Sequence, residues 1–347
     1  MKTKVLKQRE SNFELLRIIA QWMIVFYHIL LVGIYPSTGE AYYKALFIPV
    51  HIGVPLFILI SGYFGIKASV KGLIKLLAMV FVLQIPYYII EARAGNFSIT
   101  KIVMFMSWTP FWFMRTYLFL YLLSPVINRF LKNITAAERI TLLLILFYIS
   151  DIVGFTNADF TLRAGKNIVT FMMFYVLGDT LRCYKHIWGS IICTITFVAF
   201  LVTNICLVAA FSHIGFNNPR IDEIFSRVLN DYNSVFMLIN SVLFFIIIGN
   251  LQFKSRLVNN IAKASMAMYI LHGSFIHVAI VPVALSVLAY NNNPIVVTCA
   301  MLGIAATVVL ICALVYWLLT PVWNLVNKIG GYCQDFYERK VITKYKE

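Results

Sequence analysis

Long apolar segments, separated by short polar ones, occupy nearly the whole chain. A helix needs about 20 apolar residues to cross the hydrocarbon core of a membrane, and most of these segments reach or approach that length. Helix-breaking residues mark the boundaries, for example Pro36, Gly95 and the Asn-Asn-Asn-Pro run at 291–294. The pattern predicts an all-α polytopic membrane bundle of about ten transmembrane helices, at residues 13–35, 45–66, 73–90, 110–127, 139–154, 167–183, 188–212, 233–250, 261–289 and 294–326.

The composition excludes an ordinary soluble protein. Hydrophobic residues make up 61% of the 347 positions and charged residues 12%, whereas a soluble domain carries about 25% charged residues. The mean hydropathy is +0.83. We expect residues 1–347 to form a single integral-membrane domain with no appended soluble domain.

The basic residues indicate the orientation of the bundle. The net charge is +15, but the basic residues are spread through short loops and form no single stripe, which argues against a nucleic-acid partner. If the N-terminus is cytoplasmic, 20 of the 29 lysines and arginines lie in cytoplasmic segments and seven in outer loops, as the positive-inside rule expects. The sequence therefore predicts that both termini are cytoplasmic.

The first predicted helix carries four polar residues on one face: Glu14, Arg17, Gln21 and His28. The step from Arg17 to His28 makes about three helical turns, so these two side chains point the same way, roughly 16 Å apart along the axis. Ionisable groups inside a membrane are costly and commonly functional. The alternative is that Glu14 and Arg17 form a pair at the membrane surface and that His28 is a hydrogen-bonded core residue.

Two further segments carry polar stripes at helical spacing. They are Tyr117, Tyr121 and Ser124 in the fourth segment, and Ser265, Tyr269 and His272 in the ninth. A single stripe of this kind commonly holds helices together through hydrogen bonds. Several stripes together with two histidines and an arginine instead predict a lined cavity. No Cys/His spacing typical of a metal site is present, so no metal is expected.

Four motifs in order give the chain a family resemblance. The Arg17-x10-His28 pattern, in ELLRIIAQWMIVFYH, is followed by HIGVPLFILISGYF, PFWFMRTYLFLYLLSP and SMAMYILHGSF. This ordered set resembles the acyltransferase-3 family of integral-membrane acyltransferases, of the O-acetyltransferase type that modifies cell-envelope polysaccharides. The resemblance implies transfer of an acyl group, commonly acetyl, from cytoplasmic acyl-CoA to a hydroxyl of an extracytoplasmic or lipid-linked glycan. It also implies a multi-pass protein of the bacterial plasma (inner) membrane, in contact with membrane lipids.

The resemblance also implies residue roles. The family's helix-1 pair maps onto Arg17 and His28, and the histidine is regarded as catalytic, as a base or as an acyl carrier. Many relatives carry Arg-x-x-Arg at the cytoplasmic end of helix 3, where this chain has Lys67, Lys71 and Lys75. We expect the phosphates of acyl-CoA (acetyl-CoA) to bind Lys71 and Lys75, as point charges rather than bidentate forks. The alternative is that these lysines only serve the positive-inside rule.

Candidate substrate-binding residues are Arg115, His51, Trp112, Tyr117 and His272. Arg115, with Trp112 one turn earlier, is suited to hold an acidic or sugar ligand; alternatively, it snorkels to the outer head groups. His51 and His272 also have structural interpretations, the first as an interfacial histidine and the second as a hydrogen-bonding residue between helices.

The rival interpretation is a transporter or flippase of a lipid-linked saccharide. Such proteins also have many helices, polar stripes and basic loops, and they commonly carry Gly- or Pro-broken helices in corresponding halves. Pro49 and Pro55 interrupt the second segment, but no matching pair occurs in the second half, which favours the enzyme. A purely structural subunit would not need Arg17 and His28 within the membrane.

Overall fold

The computed structural model describes residues 9–100, 111–156, 162–185, 188–214 and 227–342, and every regular element in these ranges is helical. The helices are α1 (Ser11–Thr38), α2 (Ala41–Phe64), α3 (Val70–Arg93), α4 (Trp112–Asn133), α5 (Ala136–Thr156), α6 (Ile168–Cys183), α7 (Ser190–Ile214), α8 (Val235–Gly249), α9 (Arg256–Ala262), α10 (Ser265–Tyr290), α11 (Pro294–Leu318) and α12 (Thr320–Tyr337).

Seven described helices are long and apolar enough to cross a membrane: α1, α2, α3, α5, α10, α11, and α8 with the stretch from Arg227 that precedes it. The protein is therefore a multi-pass membrane protein. Over their described residues α4, α6 and α7 do not meet the same criteria; α6 has only 16 residues, and the apolar stretch of α7 is Thr194–Leu207. The count of ten spans and the sides of the termini stay predictions of the sequence.

Two of the predicted boundaries are wrong. The segment 294–326 ends at Leu318, because Pro321 has no N–H to continue α11 and instead lies in the first turn of α12. The helix α12 packs along α3, where Gly330 of α12 lies against Lys71 of α3. The segment 261–289 is likewise two helices, α9 and α10, separated by a tight turn in which Lys263 and Ala264 donate backbone hydrogen bonds three residues back.

The helices that carry His28, His51 and His272 are irregular next to these three histidines. A π-helical turn, Leu30–Ile34, follows His28 in α1, and another, Ile276–Ile280, follows His272 in α10. In α2 the helix breaks at His51, since Pro55 cannot donate a hydrogen bond to the His51 carbonyl. Local breaks of this kind are frequent at functional sites because they turn side chains out of the regular helical register.

Glycines allow α2 to pack closely against two neighbours. A Cβ at Gly62 would lie 2.0 Å from the Tyr175 carbonyl oxygen of α6, and one at Gly178 would lie 2.2 Å from the Leu59 carbonyl oxygen. A Cβ at Gly53 would lie 2.7 Å from the Ala20 carbonyl oxygen of α1. Small residues at membrane helix interfaces permit such backbone approach. The result is that α2 holds His51 against the part of α1 that carries His28.

Candidate functional site

The imidazoles of His28 and His272 form a pair between α1 and α10. Nε2 of His272 lies 3.2 Å from Nδ1 of His28, which is also 2.9 Å from the carbonyl oxygen of Ile24. Nδ1 of His272 lies 2.8 Å from the carbonyl oxygen of Met268. A carbonyl oxygen only accepts, so each Nδ1 carries the hydrogen in the neutral ring. His28 therefore shares its Nδ1–H between Ile24 and His272, and keeps the lone pair on Nε2.

Gln21 is compatible with this assignment of the hydrogens once its amide is turned over. Its side-chain nitrogen Nε2 lies 3.4 Å from Nδ1 of His272, where two donors would face each other. The opposite orientation of the amide, which differs only in exchanging oxygen and nitrogen, places Oε1 there as an acceptor. Gln21 is fully buried and its Oε1 otherwise has no partner. One residue of the predicted polar face thus contacts the ring nitrogen of His272 that faces away from His28.

A cavity of about 460 Å³ opens beside the histidine pair, a volume within the range of small-molecule sites. We call it the histidine cavity. Four of the predicted site residues line it: His28, His51, Trp112 and His272. Its other polar and aromatic side chains are Tyr27, Tyr87, Glu91, Tyr232, Tyr269, Ser274 and His277.

Aromatic rings form one wall of the histidine cavity. The His51 ring lies 4.2 Å from that of Tyr27 and 4.6 Å from that of Tyr232, between centroids. Tyr232 also lies 5.3 Å from Trp112, and the ammonium of Lys166 lies 5.4 Å from the Trp112 centroid. Burial lowers the pKa of the Lys166 ammonium, and the Asp231 carboxylate opposes that shift. This wall therefore offers flat apolar faces with a cation at its edge.

Arg17, Arg115 and Tyr117, which were also predicted as site residues, do not line this cavity. Nη1 of Arg17 lies 2.8 Å from Glu14 Oε1, and its guanidinium lies 5.8 Å from the Phe64 ring. Arg17 precedes His28 on α1 by about three helical turns. Arg115 is half-buried on α4 and is not a lining residue. Tyr117 stacks on Phe113 at 5.7 Å. The structure thus separates Arg17 from the histidines.

Ring contacts connect the Tyr117 region to the histidines. Phe113 lies 4.9 Å from Tyr269 between centroids, and Tyr269 lies 5.8 Å from His272. The other members of the predicted stripes have structural roles: the Tyr121 hydroxyl binds the backbone of Ser69, and Ser124 and Ser265 bond to carbonyls of their own chain segments. Of the two stripes, only Tyr269 and His272 reach the histidine cavity.

A second cavity, of about 720 Å³, lies toward the Arg17 end of the bundle. We call it the basic cavity, because four basic and two acidic side chains line it: Lys67, Lys132, Arg139, Arg182, Glu10 and Asp179. Asp179 forms ion pairs with both Arg139 and Arg182. Of the described acidic residues, none forms an ion pair with Lys67 or Lys132, and both lysines are exposed.

Lys71 and Lys75 do not line the basic cavity. The backbone N–H of Lys71 donates to Gln334 Oε1 of α12 at 3.3 Å, and a Cβ at Gly330 would lie 3.2 Å from Lys71 Cγ. Lys75 is half-buried. Lys71 thus lies at the contact between α3 and α12, with Lys75 one turn further along α3, and Lys67 is the member of the predicted lysine group that lines the cavity.

Sequence patterns missed several cavity residues. Tyr27 and His277 are near predicted residues in the chain, but Tyr232 and Glu91 come from other parts of it and show no motif.

Within the described ranges, no group of three or more His, Cys, Asp or Glu side chains is placed to hold a metal ion. The histidine cavity is therefore described by its imidazoles, one carboxylate and its aromatic rings.

The comparison with known families agrees with the motif order. A family model described as an acyltransferase domain, of the acyltransferase-3 type, matches residues 10–317. No curated protein and no solved structure gives a match to this chain. The matched range contains both cavities and α1 to α10 in full, and the chain belongs to the acyltransferase-3 family of acyltransferases.

Proposed function

We propose that this membrane acyltransferase moves an acyl group, most simply acetyl, from cytoplasmic acyl-CoA to a hydroxyl of an extracytoplasmic or lipid-linked glycan. We place it in the plasma membrane of a bacterium. The observation that carries the proposal is that His28 lines the histidine cavity while its Nδ1 carries the hydrogen, which leaves a lone pair on Nε2. An unprotonated imidazole nitrogen is the usual base of acyl transfer near neutral pH.

His28 acts in this proposal as the base. Its Nε2 takes the proton of the acceptor hydroxyl while the oxygen forms a bond to the thioester carbonyl carbon. The carbon–sulfur bond then breaks, and the CoA thiolate takes the proton from the imidazolium. In the covalent variant, Nε2 itself attacks the thioester carbonyl carbon, the carbon–sulfur bond breaks, and CoA leaves as the thiolate. The acceptor oxygen then bonds to the acyl carbon as the bond to Nε2 breaks, and the hydroxyl proton converts the thiolate to the CoA thiol.

Ile24 and His272 support both variants. The His28 ring becomes positively charged during either reaction, and its Nδ1–H then donates to the Ile24 carbonyl and to Nε2 of His272. Hydrogen bonds to a charged donor are about twice as strong as neutral ones. His272 is thus a positioning residue that also stabilises charge on His28.

The aromatic wall suits a sugar acceptor. The faces of Trp112, Tyr27 and Tyr232 offer flat apolar surfaces for a sugar ring, and Glu91 offers carboxylate oxygens for its hydroxyls. The histidine cavity also fits other polyhydroxy ligands of this size, which is why the acceptor is proposed as a class.

The basic cavity suits the phosphates of the donor. Lys67 and Lys132 add two positive charges that no described carboxylate offsets, and Arg182 is half exposed at 51%. Phe64 lines this cavity and lies beneath the Arg17 guanidinium. The distance from Arg17 to His28 is roughly 16 Å along the helix, which an extended pantetheine arm covers. The donor therefore enters at the Arg17 end and presents its thioester near His28.

The test replaces His28 with Ala and with Gln in the purified protein. Acyl-CoA consumption should fall by about 10²–10⁴-fold, the usual contribution of general acid–base catalysis. His277→Ala is the matched control, since His277 lines the same cavity but is not the partner of His272. If His28→Ala keeps more than a tenth of the wild-type rate, His28 is not the base. A flippase would show no acyl-CoA consumption even in the wild type.

A further inference from the structure

An apolar groove of about 650 Å³ lies between α10 and α11. Its walls include Phe275, Ile280 and Val283 from α10 and Gly303, Val308 and Ile311 from α11. Val283 is 53% exposed and Ile311 is 55% exposed. Because both helices are long and apolar enough to span the membrane, the groove opens sideways to lipid.

The groove has an imidazole at the end where it meets His272, and its other lining residues add only one hydroxyl and one thiol. Among its other lining residues, Thr307 donates its hydroxyl to the Gly303 carbonyl at 2.9 Å, and Cys312 is a buried thiol. The rest of the lining is hydrocarbon or aromatic. The groove therefore matches an alkyl or prenyl chain and offers no partner for a sugar or a phosphate.

His272 belongs to both the groove and the histidine cavity. A chain leaving the groove at this end reaches the residue that lies 3.2 Å from His28. Hydrocarbon in a membrane gains nothing by leaving lipid for an equally apolar groove. A chain is therefore held here only if a polar head attached to it binds in the histidine cavity.

We propose that the groove binds the hydrocarbon chain of a lipid-linked acceptor, whose hydroxyl-bearing head group reaches His28 past His272. This inference rests on the proposed function. The acceptor comes from the bilayer through the gap between α10 and α11, and its head group occupies the histidine cavity. The donor instead binds at the Arg17 end of the bundle, because its nucleotide phosphates match the basic cavity and not the groove.

Gly303 provides the test position. A Cβ at Gly303 meets no atom within 4 Å, so Gly303→Trp fills the groove without displacing the backbone. Leu314→Trp is the matched control: Leu314 is on the same helix, is 59% exposed, and does not line the groove. Both variants add the same side chain to the lipid-exposed surface of α11.

The binding experiment uses a dodecyl glucoside with a diazirine at the end of its chain, in phosphatidylcholine vesicles containing the purified protein. Photolysis should label peptides of α10 and α11 in the wild type and in Leu314→Trp. Labelling of these peptides should fall at least threefold in Gly303→Trp. Excess unlabelled dodecyl glucoside should compete, and dodecylphosphocholine should not. Equal labelling of all the lipid-facing helices, or equal competition by both detergents, would mean that ordinary annular lipid fills the groove and would overturn the proposal.

The kinetic experiment separates this inference from the proposed function. With hexadecyl glucoside as acceptor, Gly303→Trp should raise the acceptor KM at least threefold. With methyl glucoside, which has the same head group and no chain, its KM should match that of Leu314→Trp. Acyl-CoA hydrolysis without acceptor should be unchanged in both variants. Absence of acyl-CoA turnover in the wild type would refute the proposed function, whereas normal turnover with an unchanged KM for hexadecyl glucoside would refute only the groove.

Discussion

Nε2 of His272 lies 3.2 Å from Nδ1 of His28, although the two residues are 244 positions apart in the chain. The contact joins the first helix to the tenth and places the two rings 5.2 Å apart between centroids. Among the described residues, no carboxylate occupies the orienting position that an aspartate holds in many acyl-transfer sites. A second histidine and a backbone carbonyl orient the imidazole instead.

This relationship predicts that His272→Ala slows catalysis without weakening substrate binding. Loss of the acceptor for the His28 Nδ1–H removes one charge-assisted hydrogen bond, worth about 1.5–3 kcal/mol, so kcat should fall roughly 10- to 150-fold. The acyl-CoA KM should change little. His272→Gln, whose Oε1 can accept the same hydrogen, should recover part of the loss.

A purely structural His272 would behave differently. Both variants would then lower the unfolding temperature in detergent, and the remaining folded protein would keep its wild-type kcat. Measuring kcat together with the fraction of folded protein separates the two roles.

The sequence singled out His28 and His272, at the centre of the histidine cavity, because both lie on helices with clear periodicity. Arg17, Gln21 and His28 share one face of α1. The stripe that ends in His272 identified α10 as the second helix that contributes a histidine. The fold class follows from the same apolar periodicity. The ends of helices were less predictable, since Pro321 starts a new helix within an apolar run.

The contacts between distant helices were not predictable from the sequence. Tyr232 reaches His51 from the stretch that precedes α8, and Asp179 of α6 meets Arg139 of α5. Such contacts depend on which helices are neighbours, and that arrangement follows from packing features such as the close approach of Gly62 to Tyr175. A single sequence contains the glycine but does not indicate its partner.

Asp179 should be a major determinant of stability. It pairs with Arg139, which is 7% exposed and also donates to the Leu131 carbonyl at 2.7 Å. Removing one partner of a buried pair leaves an uncompensated charge, which costs about 3–5 kcal/mol. We therefore expect Asp179→Ala to lower the thermal unfolding midpoint in detergent by many degrees.

Glu10→Ala is the control for this prediction. Glu10 forms an ion pair with Lys185 at 3.3 Å in which both side chains are about 40% exposed, and such pairs contribute about 0–1 kcal/mol. Equal losses of stability in the two variants would show that the burial of Arg139 is not the cause.

The ten-span topology predicts the accessibility of four exposed loop positions. In a variant that lacks the six native cysteines, single cysteines at Asn96 and Asn292 should react with an impermeant thiol reagent in intact cells. Those at Asn133 and Asn260 should react only after permeabilisation. Asn260 is chosen as the labelling site because it is exposed, whereas its neighbour Asn259 is half-buried. Two further positions suggested by the sequence, Asn217 and Lys344, lie outside the described residues.

A reversed pattern at one site would locate the error in the span count. If Asn133 matches expectation and Asn260 reacts from outside, one of the helices from α5 to α8 does not cross. The helices α6 and α7 are the first to suspect, because over their described residues they do not meet the length and hydropathy expected of a span.

The donor site can be located by neutralising two different lysine pairs. Lys67→Gln with Lys132→Gln removes the two charges of the basic cavity that no described carboxylate pairs. Lys71→Gln with Lys75→Gln removes the same charge from α3 at and next to its contact with α12. If the phosphates bind in the basic cavity, the first pair should raise the acyl-CoA KM several-fold. The second pair should change the acyl-CoA KM little, and neither pair should alter the acceptor KM.

The difference in acyl-CoA KM between the two double variants should shrink as ionic strength rises, because exposed charges are screened over about 8 Å at physiological salt. The opposite order of effects would place the phosphates at Lys71 and Lys75, as the resemblance to the family first suggested.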